Sequence, residues 1–168
     1  MKLNEIEQVT VYLGLGSNLG NRQENLDMAL NFLSQRLRIK KVSSVYDTEP
    51  IGNINQPRYL NLVCQASSML APVALLILVK GIERKLGRTV NAPDMPRPID
   101  IDILFYGDKV KKTDELTIPH PRLSERAFVL VPLAEIAPEL VHPVSGESIK
   151  KLLVKVQGKQ GVLKLENS

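Results

Sequence analysis

Residues 99–103 read Ile-Asp-Ile-Asp-Ile, a pattern that only an extended strand can sort cleanly. Side chains alternate across a strand, so Ile99, Ile101 and Ile103 enter a core while Asp100 and Asp102 share the opposite face. At roughly 3.3 Å of rise per residue, the two aspartate Cα atoms lie about 6 to 7 Å apart. Like charges this close repel unless a cation sits between them, and carboxylate oxygens suit a hard ion such as magnesium. An isolated Asp-x-Asp also describes the solvated acidic face of a strand, so the surrounding residues must decide between the two.

Other segments supply a fold around this strand. Residues 9–15 form a short apolar run that breaks into Gly16-Ser17-Asn18-Leu19-Gly20. A helix follows, with Leu26, Ala29, Leu30, Leu33 and Leu37 at helical spacing and Asn21 with Glu24 as its cap. Residues 42–48 predict a second strand. Residues 49–57 hold Pro50, Gly52, Asn53, Asn55 and Pro57, the chemistry of a long loop and a candidate lid. Residues 59–66 alternate, with Leu60, Leu62, Cys64 and Ala66 on one face and Tyr59, Asn61, Val63 and Gln65 on the other. Pro72 and Gly87 bracket a second helix, and a proline-rich loop over 88–98 leads into the Asp strand. Gly107-Asp108 marks a turn. Residues 127–136 are apolar and begin as a helix that Pro132 and Pro138 break. From Gly158 onward the pattern predicts a loosely held tail. The order strand, helix, strand, strand, helix, strand is that of an α+β, ferredoxin-like core, an antiparallel sheet with packed helices, in a single domain spanning 1–168.

The chain's 168 residues, 43% of them hydrophobic, are enough for one sizeable core. A net charge of +4 favours an anionic ligand without the excess of a dedicated nucleic-acid binder. Aromatic residues make up 4% of the chain, and tryptophan is absent. That leaves little for a sheet that stacks RNA bases, so no nucleic acid is expected. The single Cys64 offers no internal disulfide. The chain opens without a basic segment leading into an apolar one, and the apolar run over 69–79 contains Pro72 and falls short of the ~20 residues a bilayer demands. The expectation is a cytoplasmic protein without a membrane segment. The run from Gly14 to Gly20 invites comparison with a dinucleotide-binding loop, but Leu19 holds the place of the third glycine; no Lys-Ser or Lys-Thr completes a P-loop. Those glycines read as a tight turn.

Arg97 stands three residues before Asp100, Arg88 just past Gly87, and Arg126 shortly after His120. A phosphate chain bridged by magnesium needs such donors, because charge on its oxygens must be balanced during transfer. His120, between Pro119 and Pro121, has a stiffened backbone; His142, without such neighbours, reads as structural. Tyr59 and Asn61 offer an aromatic plate and an amide to a flat heterocycle, and Phe128 is available as a second plate.

Five stretches, taken in order, extend this reading. They are Gly16-Ser17-Asn18-Leu19-Gly20, Tyr46-Asp47-Thr48-Glu49-Pro50-Ile51-Gly52, Gln56-Pro57-Arg58-Tyr59-Leu60-Asn61, Pro96-Arg97-Pro98-Ile99-Asp100-Ile101-Asp102-Ile103, and Pro119-His120-Pro121-Arg122 with Arg126-Ala127-Phe128. With them the chain closely resembles the bacterial 6-hydroxymethyl-7,8-dihydropterin pyrophosphokinases of folate synthesis, over about residues 9–153. The resemblance implies transfer of pyrophosphate from ATP to the pterin hydroxymethyl oxygen, releasing AMP, with two magnesium ions held by Asp100 and Asp102. It implies catalytic roles for Arg88, Arg97, Asp100 and Asp102, and ATP contacts from Glu83, Arg88, Arg97, Ile103, His120 and Arg126. The pterin is expected between Tyr59 and Phe128, with Thr48, Ile51 and Asn61 at its polar edge. ATP and the pterin are the expected partners of a monomer. Two departures from the family pattern stand out. Residues 88–96 carry Asn91, Pro93, Asp94 and Met95 where an aromatic and a basic residue are common, and Glu49 replaces a common proline.

Overall fold

The computed structural model describes residues 7–51, 55–88 and 95–166. The altered composition within 88–96 falls largely on residues outside these. At the centre lies β1 (Val9–Ser17), antiparallel to β4 (Tyr59–Ser68) on one side and β5 (Asp100–Tyr106) on the other. Beyond β4, the sheet continues through β3 (Tyr46–Thr48) to β8 (Val162–Lys164), and β2 (Arg38–Val42) pairs the other half of β4. A separate two-stranded ribbon joins β6 (Lys111–Lys112) to β7 (Thr117–Ile118). The central order β5, β1, β4 with β2 and β3 on the far side is the ferredoxin-like arrangement expected from the order of elements.

Alternation along the strands gives the sheet two apolar faces. Val11, Leu13 and Leu15 of β1, with Leu62 of β4 and Ile101 and Ile103 of β5, pack against α1 (Arg22–Ser34) and α2 (Pro72–Lys85) through Leu26, Leu33, Leu75 and Val79. The opposite face sends Tyr12, Val63 and Leu104 into a second core with α3 (Ala127–Ile136) and α4 (Ile149–Lys155). At the start of α1 the Asn21 side chain accepts a hydrogen bond from Glu24 N at 3.1 Å, the expected cap. Pro72 opens α2, and Gly87, at φ 95°, follows its end. Among the described residues no helix is long and apolar enough to cross a membrane.

Four local expectations are revised. Gly14 and Gly16 lie inside β1, and within the glycine run only Gly20, at φ 72°, takes a turn conformation. The strand expected over 42–48 is two strands. Ser43 bridges them: its N–H donates to Val63 O and its hydroxyl accepts from Val63 N, both at 2.9 Å, so a side chain replaces a ladder carbonyl. Pro132 does not interrupt α3. It forgoes one backbone hydrogen bond, and burial of Val129, Leu130 and Leu133 keeps the helix in place. The C-terminal segment folds back as β8, pairing Thr48 with Val162 and Tyr46 with Lys164.

Candidate active site

The register of the sheet explains why β1 carries glycine at two strand positions. Gly16 lies between Asp100 of β5 and Asn61 of β4, and Gly14 between Asp102 and Val63. With strands ~4.8 Å apart, a side-chain-free gap of roughly 10 Å separates Asp100 from Asn61 on this face. Two glycines therefore make a floor, with the carboxylates along one wall and the β4 amide along the other. The sequence predicts a turn at these glycines, yet both lie in β1, and their spacing of two inside an apolar run is the signal of a strand face.

A cavity of about 140 Å³ opens above this floor, lined by Thr48, Glu49, Ile51, Tyr59, Asn61 and Phe128 together with Arg97, Asp100 and Arg126. Thr48 and Asn61 are buried, and Asn61 Nδ2 donates to Thr48 Oγ1 at 2.6 Å. In this orientation the carboxamide turns its Oδ1 toward Gly16. The five residues expected around the pterin, Tyr59 and Phe128 at its faces and Thr48, Ile51 and Asn61 at its edge, all line this one cavity, while Glu49 is an addition. A second cavity, of about 240 Å³, runs along β5, where Asp102, Ile103, His120 and Lys80 line it with the loop at 113–117. The aspartates sit at the junction. Asp100 lines the first cavity, Asp102 the second, and both line a narrow cleft over Gly14 and Gly16 that connects to Phe128.

Charges around the pair are closely balanced. Arg88 donates to Asp100 Oδ1 at 2.9 Å and to Glu83, and Arg97 approaches Asp100 at 3.8 Å. Glu83 is buried in α2, where its carboxylate accepts from Ile101 N at 2.8 Å and pairs with Lys80 at 3.3 Å. In this geometry Glu83 holds Arg88 and the β5 backbone in place. Burial pushes the Glu83 carboxyl up, opposed by the Ile101 N–H and Arg88. Asp102 has Arg126 at 4.0 Å as its nearest cation. Enclosure by the cleft, reinforced by the neighbouring Asp100 charge, raises its carboxyl to about 7.

Arg126 caps the entry to α3, and its guanidinium lies 5.5 Å from the Phe128 ring. Its Nε–H is buried without a hydrogen-bond partner. An orphaned charged donor is costly to bury, so this atom marks where an anionic acceptor belongs. His120 is anchored by its own N–H to Leu104 O at 3.0 Å, and its Nδ1 accepts from Arg122 N at 3.3 Å. Burial, helped by the nearby Arg126 charge, lowers its pKa to about 4. The neutral ring with Nδ1 as acceptor must carry its proton on Nε2, leaving one N–H donor free for a ligand. His142 is structural, as expected: its Nδ1 accepts from Val144 N and Ser145 N, and its ring meets Phe105 edge-on at 5.7 Å.

Comparison with known proteins places this geometry in a family. The family model described as 7,8-dihydro-6-hydroxymethylpterin-pyrophosphokinase (HPPK) matches residues 12–138. The chain is 43% identical over 142 residues to the 2-amino-4-hydroxy-6-hydroxymethyldihydropteridine pyrophosphokinase of Aquifex aeolicus (strain VF5), covering 84% of this chain and 89% of that one. To the Bacillus subtilis (strain 168) protein of the same name it is 42% identical over 131 residues, 77% of this chain and 78% of that one. It is also 42% identical over 154 residues to the folic acid synthesis protein fol1 of Pneumocystis carinii. That match covers 91% of this chain but 21% of the relative, so the chain spans about a fifth of that protein's length. Among solved structures, wild-type HPPK-DHPS of Plasmodium falciparum with pterin and p-hydroxybenzoate shares the fold, with a TM-score of 0.76 at 19% identity over 96% of this chain and 47% of that one. The chain belongs to the 7,8-dihydro-6-hydroxymethylpterin-pyrophosphokinase family.

Proposed function

We propose that this chain transfers an intact pyrophosphoryl group from ATP to the hydroxymethyl oxygen of 6-hydroxymethyl-7,8-dihydropterin, giving the pterin diphosphate and AMP in folate synthesis. One observation carries the reading: Asp100 faces one cavity and Asp102 the other, so two substrates bound in them meet across a pair of carboxylates. The first cavity takes the pterin, with Tyr59 and Phe128 against its faces and Asn61, Thr48 and the backbone near Ile51 at its polar edge. The second takes ATP, with Ile103 and His120 toward the nucleoside and the phosphates reaching Arg88, Arg97 and Arg126. The hydroxymethyl oxygen attacks the β-phosphorus and gives up its proton to solvent, the bond from that phosphorus to the oxygen bridging it to the α-phosphate breaks, and AMP departs with that oxygen. Both cavities are formed by one chain, which supports a monomer as the working unit.

The donor set fits magnesium. It consists of oxygen alone, and among the described residues no third His, Cys, Asp or Glu joins the pair to close a cage. Magnesium characteristically takes one or two carboxylates and completes its shell with waters and substrate phosphates. Asp100 and Asp102 would hold it, since both line the cleft between the two cavities. Bound there, magnesium would neutralise phosphate charge and lower the proton affinity of the attacking hydroxyl. The protein's own share is alignment and electrostatics. The Arg126 Nε–H and the Arg97 guanidinium are set to receive charge developing on phosphate oxygens, and Glu83 keeps Arg88 aimed at the site.

Incubation with ATP, magnesium and the hydroxymethyl pterin should yield AMP. Asp100→Asn and Asp102→Asn should each lower that rate by a factor of about 100 or more while circular dichroism and melting remain close to the parent's. ADP as the product, or full activity in either variant, would refute the assignment.

A further inference from the structure

Asn18 takes no part in the chemistry above, yet its side chain is 2% exposed and fully engaged. Its Oδ1 accepts from Arg97 N at 2.8 Å, and its own N–H donates to Arg97 O at 3.1 Å, a two-point clamp on that backbone. On the other side its Nδ2 donates to Gln56 Oε1 at 3.1 Å and to Pro57 O at 3.2 Å. Arg97 lies three residues before Asp100, and Pro57 two residues before Tyr59. One carboxamide therefore ties the segment entering the metal and phosphate site to the segment entering the pterin site. Gly16 keeps the floor between the two segments clear of side chains, and Asn18 stands just past the end of β1, within reach of both.

We propose that Asn18 is a positioning residue that couples the two substrate sites, so that nucleotide binding at Arg97 and Asp100 also orders residues 55–59 and the Tyr59 and Asn61 positions beyond them. The inference rests on the assignment of the two cavities given above. An amide that merely filled space would hold both segments equally with or without ligand. A coupling amide makes one segment respond to a ligand on the other. Asn18→Asp keeps the size and the acceptor facing Arg97 N, but sets an oxygen against the Pro57 carbonyl; Asn18→Ala removes both arms.

Hydrogen exchange of the full chain, with magnesium and a non-hydrolysable ATP analogue and no pterin, reads this directly. In the unsubstituted protein the analogue should slow exchange over 97–103 and also over 55–59. In Asn18→Ala and Asn18→Asp the slowing over 97–103 should persist, while that over 55–59 falls by a factor of about ten. If Asn18→Ala does not fold, Asn18→Asp alone decides. Equal slowing over 55–59 in parent and variants, or none there in the parent, overturns the coupling. Absence of slowing over 97–103 in the parent would remove the nucleotide assignment itself, and the coupling with it.

Discussion

A Cβ built on Gly16 would lie 2.5 Å from Asn61 Oδ1 and 3.4 Å from Tyr59 Cδ1, whereas one on Gly14 would meet Leu104 at an ordinary 3.5 Å. Gly16→Ala must therefore displace the Asn61 carboxamide from its bond with Thr48, at a cost of about 1 to 3 kcal/mol for the overpacked site. A rise in pterin KM of at least about 10-fold is expected, with ATP affinity little changed. Gly14→Ala should fold with nearly the parent's stability, and steady-state kinetics beside thermal melts would separate the two. His120 gives a pH signature at the same scale. Its pKa falls to about 4 in the folded protein, through burial first and then Arg126. The unfolded chain takes up that proton near the ordinary value of about 6.5. Between those values the unfolded state binds more protons, so His120 makes stability fall as pH drops from about 6.5 toward about 4. His120→Gln removes this titration. Its stability should change less than the parent's between about pH 7 and about pH 5 when both are unfolded in urea.

At the level of elements, the edge of the pterin cavity is braced from behind. Arg58 bonds Asp47 and reaches Gly161 O at 3.4 Å, while Arg22 donates to Arg58 O at 3.0 Å. Glu49 N donates to the same Gly161 carbonyl at 3.2 Å. A proline at position 49, common in the family pattern, has no N–H to make that bond. The replacement noted in the sequence thus gives this chain an extra tie between the substrate loop and β8. Removing residues 159–168 leaves β3 as a bare edge of three residues. The truncated chain should show a pterin KM raised by a factor of about 5 to 10, the worth of one or two such bonds, and unaltered ATP binding by calorimetry.

For the whole molecule, one sheet serves two cores, one beneath each pair of helices. Leu33 in α1 and Leu130 in α3 are wholly buried on opposite faces. Leu33→Ala and Leu130→Ala should each cost about 2 to 5 kcal/mol and shift the same single unfolding transition in denaturant, followed by far-UV circular dichroism. Two separated transitions would mean that the layers fold independently. This sandwich also sets the site's location. The apolar second core ends where β1 exchanges Tyr12 for Gly14 and Gly16, and the uncovered strip of sheet beyond it becomes the cleft.

Alternation alone determined that Asp100 and Asp102 share a face opposite three isoleucines, and that Tyr59 and Asn61 share one opposite Leu60 and Leu62. Caps and punctuation marked both early helices, because Asn21, Pro72 and Gly87 act over a few residues of chain. Tertiary structure decided what depends on partners distant in sequence. The glycines of β1 gained meaning only from a register that sets them between Asp100 and Asn61. Pro132 could stay helical only with a core to hold it, and residues 162–164 became a strand only because β3 offered an open edge. The Asn18 carboxamide belongs to the same class, since its partners stand 38, 39 and 79 positions away. Local periodicity is written into neighbouring residues; a link between two loops exists only once the sheet has brought them together.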